Sequence, residues 1–412
     1  MYSASSTHAV ELDGRYSWLR LAVTVALAAI SGIGMWSVIL VLPEVQKEFS
    51  VDRSLASVPY TVTMVGYAFG NALFGRMVDR FGATTATIAS ALTLGAGFAL
   101  AALTANVWQF AAVQAALIGL GSGAGFGPLV ADASHWFQRR RGIAMSLVAS
   151  GNFLAGVVWP LGLKDVLQTD GWRSAYFIIA VACIAGMVPL ALLLRRKPPH
   201  DHDGSGAPNR AARPLTRSID LSPRALQWLL FAAGIGCCVA MSMPQVHIVA
   251  YCGDLGYGVA VGAEMLSLML AGGIASRLVS GFLADYIGGV RTLLLGSVLQ
   301  CLALFLYLPF DGLTSLYVVS LIFGLSQGGI VPAYAIIVRE YLPAHEAGRR
   351  VGLVIMATVI GMAFGGWLSG WIFDLTGSYR AAFLNGIGWN LFNIAIMLSI
   401  LWRTRGPRTA SA

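Results

Sequence analysis

Apolar segments of about 20 residues or more recur along almost the whole chain, and this recurrence limits the possible folds more than any single motif does. A helix rises about 1.5 Å per residue, so each segment is long enough to cross a hydrocarbon core of about 30 Å. Twelve crossings are expected, at approximately 18 to 42, 54 to 78, 84 to 105, 107 to 133, 141 to 163, 172 to 194, 224 to 250, 260 to 284, 291 to 309, 314 to 338, 350 to 373 and 379 to 402. Only 11% of the residues are charged, against about 25% in soluble domains, so a soluble fold is excluded. The expected fold class is an all-α membrane protein of twelve transmembrane helices.

The net charge of +8 is distributed by side rather than clustered. With the amino terminus inside, alternate loops hold Arg76 and Arg80; Arg139 to Arg141; Arg195 to Lys197 with Arg210, Arg213, Arg217 and Arg224; Arg291; Arg339, Arg349 and Arg350; and Arg403, Arg405 and Arg408. With Arg15 and Arg20, 21 of the 27 basic residues fall on that side. This asymmetry is the positive-inside pattern, which places both termini in the cytoplasm and argues against a nucleic-acid partner. The five cysteines lack metal-ligand spacing, so neither a zinc site nor a disulfide framework is expected. The first apolar segment follows a polar start of about 17 residues and is long enough to span, so it is expected to stay in the mature protein as a helix rather than be cleaved as a leader.

Residues 195–223 are polar and include His200-Asp201-His202-Asp203-Gly204, which reads as a flexible cytoplasmic linker. It separates a six-helix bundle at 1–194 from a second at 224–412. The halves also repeat. Gly75, Asp79 and Gly82 follow the second segment, and Gly281, Asp285 and Gly288 follow the eighth, each pair 206 residues apart. A common offset in matched topology indicates an internal duplication, and an even number of helices per copy makes the copies parallel.

Within the eighth segment stands a lone charge, Arg277, about 12 Å inward of Asp285 against a half-core of about 15 Å. An arginine at that depth costs on the order of 3 kcal/mol on insertion scales, and such charges usually face a polar cavity. Its planar fork suits a carboxylate, so Arg277 is the candidate contact for an anionic substrate. The repeat offset maps it onto Asn71, with Tyr67 one turn away on the same face of the second helix.

Gly75-Arg76-Met77-Val78-Asp79-Arg80-Phe81-Gly82 and its partial copy at 281–288 resemble the loop signature of major facilitator superfamily transporters. Two further stretches make the chain similar to the monocarboxylate transporter and oxalate/formate antiporter branch: Asp13-Gly14-Arg15-Tyr16-Ser17-Trp18, and Trp136-Phe137-Gln138-Arg139-Arg140-Arg141-Gly142-Ile143-Ala144 leading to Gly151. The chain departs from that pattern at Arg15, at Tyr286 in place of the second loop arginine, and at Ala83-Thr84 in place of a basic tail. Gly273 stands where animal monocarboxylate transporters carry an acid, and the eleventh segment lacks the lysine of oxalate/formate antiporters. The resemblance implies two six-helix halves rocking about a midplane site, with Arg277 where the family's substrate arginine falls.

Around that site, Asn152 and Gln327 are central polar residues that either line the cavity or bond helix to helix. Trp36 and Tyr334 are candidate cavity or gate aromatics, and buried packing is the competing reading for both. His247 is expected in the outer half of the seventh helix, where it titrates near neutral pH if solvated. Asp79, Arg80, Asp132, Arg141, Asp285, Glu340 and Arg349 occupy the cytoplasmic ends; the resemblance implies a gate closed in the outward-open state, and a solvated face is the alternative.

The glycine-rich run Gly119 to Gly127 superficially matches a phosphate loop but lies inside an apolar segment, without the strand-loop-helix context that phosphate binding requires. No Walker sequence or catalytic constellation appears, so neither an enzyme nor a cofactor is expected. The expected function is secondary or facilitative transport of a small organic anion, a monocarboxylate above all, by a single chain in a plasma or bacterial inner membrane, with protons as a candidate coupling ion. An exporter of amphipathic compounds and a non-transporting ligand sensor are the alternatives.

Overall fold

The computed structural model describes residues 12–138, 140–196, 219–342 and 346–404, and only the backbone at Arg141 and Ala347. Most of the expected linker therefore lies outside the described residues. Among the described residues eleven long apolar segments cross the molecule, and the break at Gly82 in one of them makes twelve helices: α1 (Arg15–Phe49), α2 and α3 within Arg53–Ala101, α4 (Val107–Ser134), α5 (Gly142–Thr169), α6 (Gly171–Leu193), α7 (Pro223–Asp254), α8 (Val259–Ile287), α9 (Gly289–Leu306), α10 (Leu313–Tyr341), α11 (Gly348–Thr376) and α12 (Tyr379–Trp402). Alternation of direction puts the starts of α1 and α7 and the end of α12 on one face, here called proximal. The α1–α2, α7–α8 and α11–α12 turns lie on the opposite, distal face.

Arg53–Ala101 is hydrogen-bonded almost without interruption, and α2 is divided from α3 by Gly82 alone, at φ 84° and ψ 164°. Gly288 between α8 and α9 adopts φ 84° and ψ 165°. Gly171 and Gly377, likewise 206 residues apart, both take positive φ at the starts of the sixth and twelfth helices. A side chain at these angles meets the backbone, so the duplication reappears as a requirement for glycine at matched turns. Packing repeats as well. A Cβ added to Gly66 would strike the Ala115 carbonyl, and one added to Gly272 the Leu321 carbonyl, both partners again offset by 206.

Two expectations about boundaries change. The first helix was expected to stop before Pro43, but it continues through the proline to Phe49. A proline removes one backbone donor, and here that loss does not end the helix. The fourth crossing is not a regular helix: it widens into a π-turn at Gln114–Gly119 and tightens at Gly123–Gly125. Small residues there admit close neighbours, since a Cβ at Gly119 would lie 2.5 Å from the Thr63 carbonyl of α2. The halves meet along α2 with α11, α5 with α8, and α1 with α7.

Candidate substrate site and gates

Arg277 lies in the seam where α8 crosses α5. Its Nη1 donates to the Ala149 carbonyl of α5 at 2.7 Å, and its Nε donates to the Gly328 carbonyl of α10 at 3.3 Å. The guanidinium also stacks over the Phe153 ring, 4.3 Å from its centroid. Ala149 and Phe153 are one turn apart, so one face of α5 supplies both contacts. Among the described residues no carboxylate pairs with Arg277. Gly273, one turn before it, leaves room for Phe153, whose ring would lie 3.1 Å from an added Cβ.

Phe153 is the residue that sequence reading missed, since one aromatic in an apolar helix carries no periodic signal. Trp36 is buried and packs at 6.4 Å against Phe153 while its Nε1 donates to the Asn152 carbonyl at 2.9 Å. It braces the platform beneath Arg277 rather than opening a gate. Asn152 donates to the Met35 sulfur at 3.1 Å, and its buried Oδ1 has no partner among the described residues.

Asn71 occupies the slot symmetric to Arg277 but faces its own half. Its Oδ1 accepts from the Gly127 N–H of α4 at 3.1 Å, and its Nδ2 donates to the Tyr67 carbonyl at 3.0 Å. The cross-seam counterpart of Arg277 is therefore α5, not Asn71. Tyr67 does interact electrostatically with Arg277, and this brings the α2 pair to the site's margin. Gln327, next to Gly328, accepts at 2.8 Å from Gln245 of α7. That single bond leaves the Gln245 Oε1 and the Gln327 Nε2 buried without partners among the described residues.

Tyr334 is placed elsewhere. Its hydroxyl donates to Asn393 at 3.1 Å, and Asn393 bonds Ser297 and Asn390, a polar network that ties α9, α10 and α12 inside the second half. His247 is fully buried in the distal half of α7, with Nδ1 3.1 Å from the Tyr379 hydroxyl and Nε2 2.7 Å from the Gly366 carbonyl.

The described ion pairs that join the halves are both distal, on the side opposite the expected gate. Arg53 at the start of α2 forks onto Asp254 of α7 at 3.0 and 3.1 Å and donates to Tyr379 at 2.6 Å. Asp374 of α11 caps α2 by accepting from the Arg53 and Ser54 N–H groups at 2.9 and 2.7 Å, where a helix N-terminus favours a carboxylate. Lys164 of α5 pairs with Glu264 of α8 at 2.6 Å, and Tyr317 donates to the same carboxylate at 2.7 Å.

Of the expected proximal gate, Asp79, Arg80, Asp285 and Arg349 are exposed, and the Arg141 side chain lies outside the described residues. Glu340 accepts from the Gly289 N–H within its own half. Asp132 is buried against Arg20 at 2.9 Å, and Arg20 also reaches the Leu194 carbonyl, so this pair locks α1, α4 and the end of α6 within the first half. Nearby, the two branch-like motifs dock on each other. Asp13 accepts from the Gln138 N–H at 3.1 Å, Tyr16 packs on Trp136 at 5.2 Å, and Trp18 meets Phe137 edge-on at 5.1 Å.

A family profile described as Major Facilitator Superfamily matches residues 24–314 and 254–412. Monocarboxylate transporter 13 of Bos taurus is 27% identical over 338 residues, 80% of this chain and 75% of that protein. Monocarboxylate transporter 11 of Homo sapiens is 26% identical over 392 residues, 90% of this chain and 80% of that one. Among solved structures, a bacterial homolog of the human lysosomal transporter Spinster superimposes with a TM-score of 0.73 at 12% identity, covering 95% of this chain and 99% of that chain.

Proposed function

The chain belongs to the Major Facilitator Superfamily, and we propose that it carries a small organic anion with one carboxylate across the membrane by alternating access. The observation that carries this reading is Arg277, a cation in the seam between the halves whose described bonds go to two carbonyls and an aromatic face. Carbonyl oxygens accept hydrogen bonds but bring no full charge, and part of the five-donor fork is left for a ligand. A carboxylate supplies the missing charge and the matching geometry. With glycine at 273 and no lysine in α11, the site offers one cation to one carboxylate. Relatives named monocarboxylate transporters support the same substrate class.

Because α5 and α10 both hold Arg277, a carboxylate that draws it away loosens the contact between α5 and α8, which links binding to rocking of the halves. The loop charges support a cytoplasmic proximal face in the plasma or bacterial inner membrane. The distal ion pairs then make this the conformation sealed toward the outside.

Reconstitution into proteoliposomes with labelled monocarboxylates tests the reading. Arg277→Ala is expected to lower kcat/KM about tenfold to a hundredfold, the range for losing a charge-assisted hydrogen-bonded contact. Full transport by that variant removes Arg277 from the site. Transport of lipophilic compounds without a carboxylate favours the exporter reading, and ligand binding without counterflow favours a sensor.

A further inference from the structure

We infer that His247 is a proton-binding switch, and that its protonation releases the distal latch formed by Arg53, Tyr379 and Asp254. The inference rests on the transport reading above. It begins from hydrogen-bond directions that leave little choice. The Gly366 carbonyl only accepts, so the His247 Nε2 that faces it at 2.7 Å carries a hydrogen. Arg53 only donates, so the Tyr379 oxygen accepts from it at 2.6 Å and turns its own hydrogen elsewhere. The acceptor in reach is the His247 Nδ1 at 3.1 Å. The chain thus runs from the guanidinium to the phenol to a neutral imidazole, each link a donor facing an acceptor, while the buried Arg53 Nε has no partner among the described residues.

A proton on Nδ1 reverses the last link. Imidazolium has two donors and no acceptor, so the Tyr379 hydrogen loses its partner and its oxygen is asked to accept from two cations at once. The charged groups in electrostatic range of the ring are Arg53 from α2, which repels the imidazolium, and Asp374 from α11, which attracts it. Both charges are already engaged, Asp374 by the Arg53 and Ser54 N–H groups and Arg53 by Asp254, so the contest is decided at the shared hydroxyl, whose oxygen faces two cationic donors. The relief available is withdrawal of Arg53, which takes α2 away from Asp254, Asp374 and Tyr379 together.

The location suits a switch on that latch. His247 is buried beneath the latch, and Tyr379 is fixed over it by Phe373 at 4.5 Å and Tyr251 at 5.4 Å. Opening the latch exposes Nδ1 to distal water, from which it takes one proton. When Nδ1 gives that proton back to the same water it can again accept from Tyr379, and Arg53 re-forms the latch, so the N–H bond made on opening is the one broken on closing.

In the latched state protonation is disfavoured, so the latch is stable above the ordinary histidine range and weakens as pH falls through it. Below about pH 6.5 the ratio of open to latched protein is expected to rise by up to about tenfold per pH unit. The test reads distances and needs no ligand, so its failure is separable from failure of the anion reading. Spin labels go on Gln168→Cys at the distal end of α5 and Thr314→Cys at the distal start of α10, both exposed, while the five native cysteines are buried. In the reconstituted full chain, pulsed dipolar spectra between pH 8 and pH 5 are expected to gain a longer distance on acidification. His247→Gln keeps a donor and an acceptor but does not titrate, and is expected to abolish the shift. Tyr379→Phe, which removes the hydroxyl between His247 and Arg53, is expected to uncouple the distance from pH as well. A wild-type distance unmoved by pH overturns the proposal, as does a shift that persists in either variant.

Discussion

The two faces of this molecule use their charged residues differently. On the distal face charges join the halves, Arg53 with Asp254, Asp374 with the α2 N-terminus and Lys164 with Glu264, while Arg173 and Glu48 pair within the first half. On the proximal face the described charges either lie exposed, as Asp79, Arg80 and Asp285 do, or tie a half to itself, as Arg20 and Asp132 do. The glycines follow the same division. Gly366 and Gly370 of α11 are pressed against Tyr60 and Arg53, whereas a Cβ on Gly75 or Gly281 of the repeated loop signature meets open space. A seam held at one end and free at the other is the arrangement expected of a rocking transporter caught with its distal side shut. The difference also separates two kinds of buried ion pair: one that makes a half rigid and one that holds the halves together until something disengages it.

The comparison is broken most directly at Arg53. Arg53→Ala strands Asp254 and removes the hydroxyl's donor. Loss of one partner from a fully buried pair costs about 3 to 5 kcal/mol; because Asp254 keeps 38% of its side chain exposed, about 2 to 3 kcal/mol is expected here. That shift favours the distally open form by more than tenfold, and accessibility of a thiol placed under the latch to a membrane-impermeant reagent reports it. An unchanged labelling rate would mean that the ion pair follows closure rather than maintaining it. A smaller effect is expected from Lys164→Ala, since both partners are about one-third exposed and solvent screens them. The same labelling is expected to show only a slight rise in this variant. Smallest is Gly75→Ala on the proximal face, expected to leave the thermal stability of the distally closed form within about 0.5 kcal/mol, because nothing occupies the space a Cβ would take. A large loss in melting temperature would show that this glycine is already packed in the distally closed form.

Legibility in the sequence followed the range of the signal. The crossings were legible because hydrocarbon thickness sets a length, and the duplication because glycine, aspartate and glycine recur at one offset. The same offset proved to mark backbone conformation at Gly82 and Gly288. Arg277 was legible because a charge in an apolar run is costly and therefore conspicuous. Phe153 was not, since an aromatic in a membrane helix costs nothing and stands out from nothing. Asn71 matches Arg277 by the repeat offset, yet it braces α4 at Gly127, because a side chain's direction depends on its neighbours as much as on its place in a repeat. The gate was expected on the proximal side, where motif residues cluster, and the cross-seam pairs that the structure describes lie on the other.

By itself, the sequence determined quantities that are local or periodic: how many long apolar helices there are, where the chain repeats, and that one arginine interrupts an apolar run. Tertiary structure decided which charges meet. Arg53 and Asp254 are 201 residues apart, and Asp374 lies more than 300 residues from the helix end it caps. Nothing in either neighbourhood announces the other. Their pairing depends on how the helices of the two halves pack against each other, which no local or periodic pattern encodes.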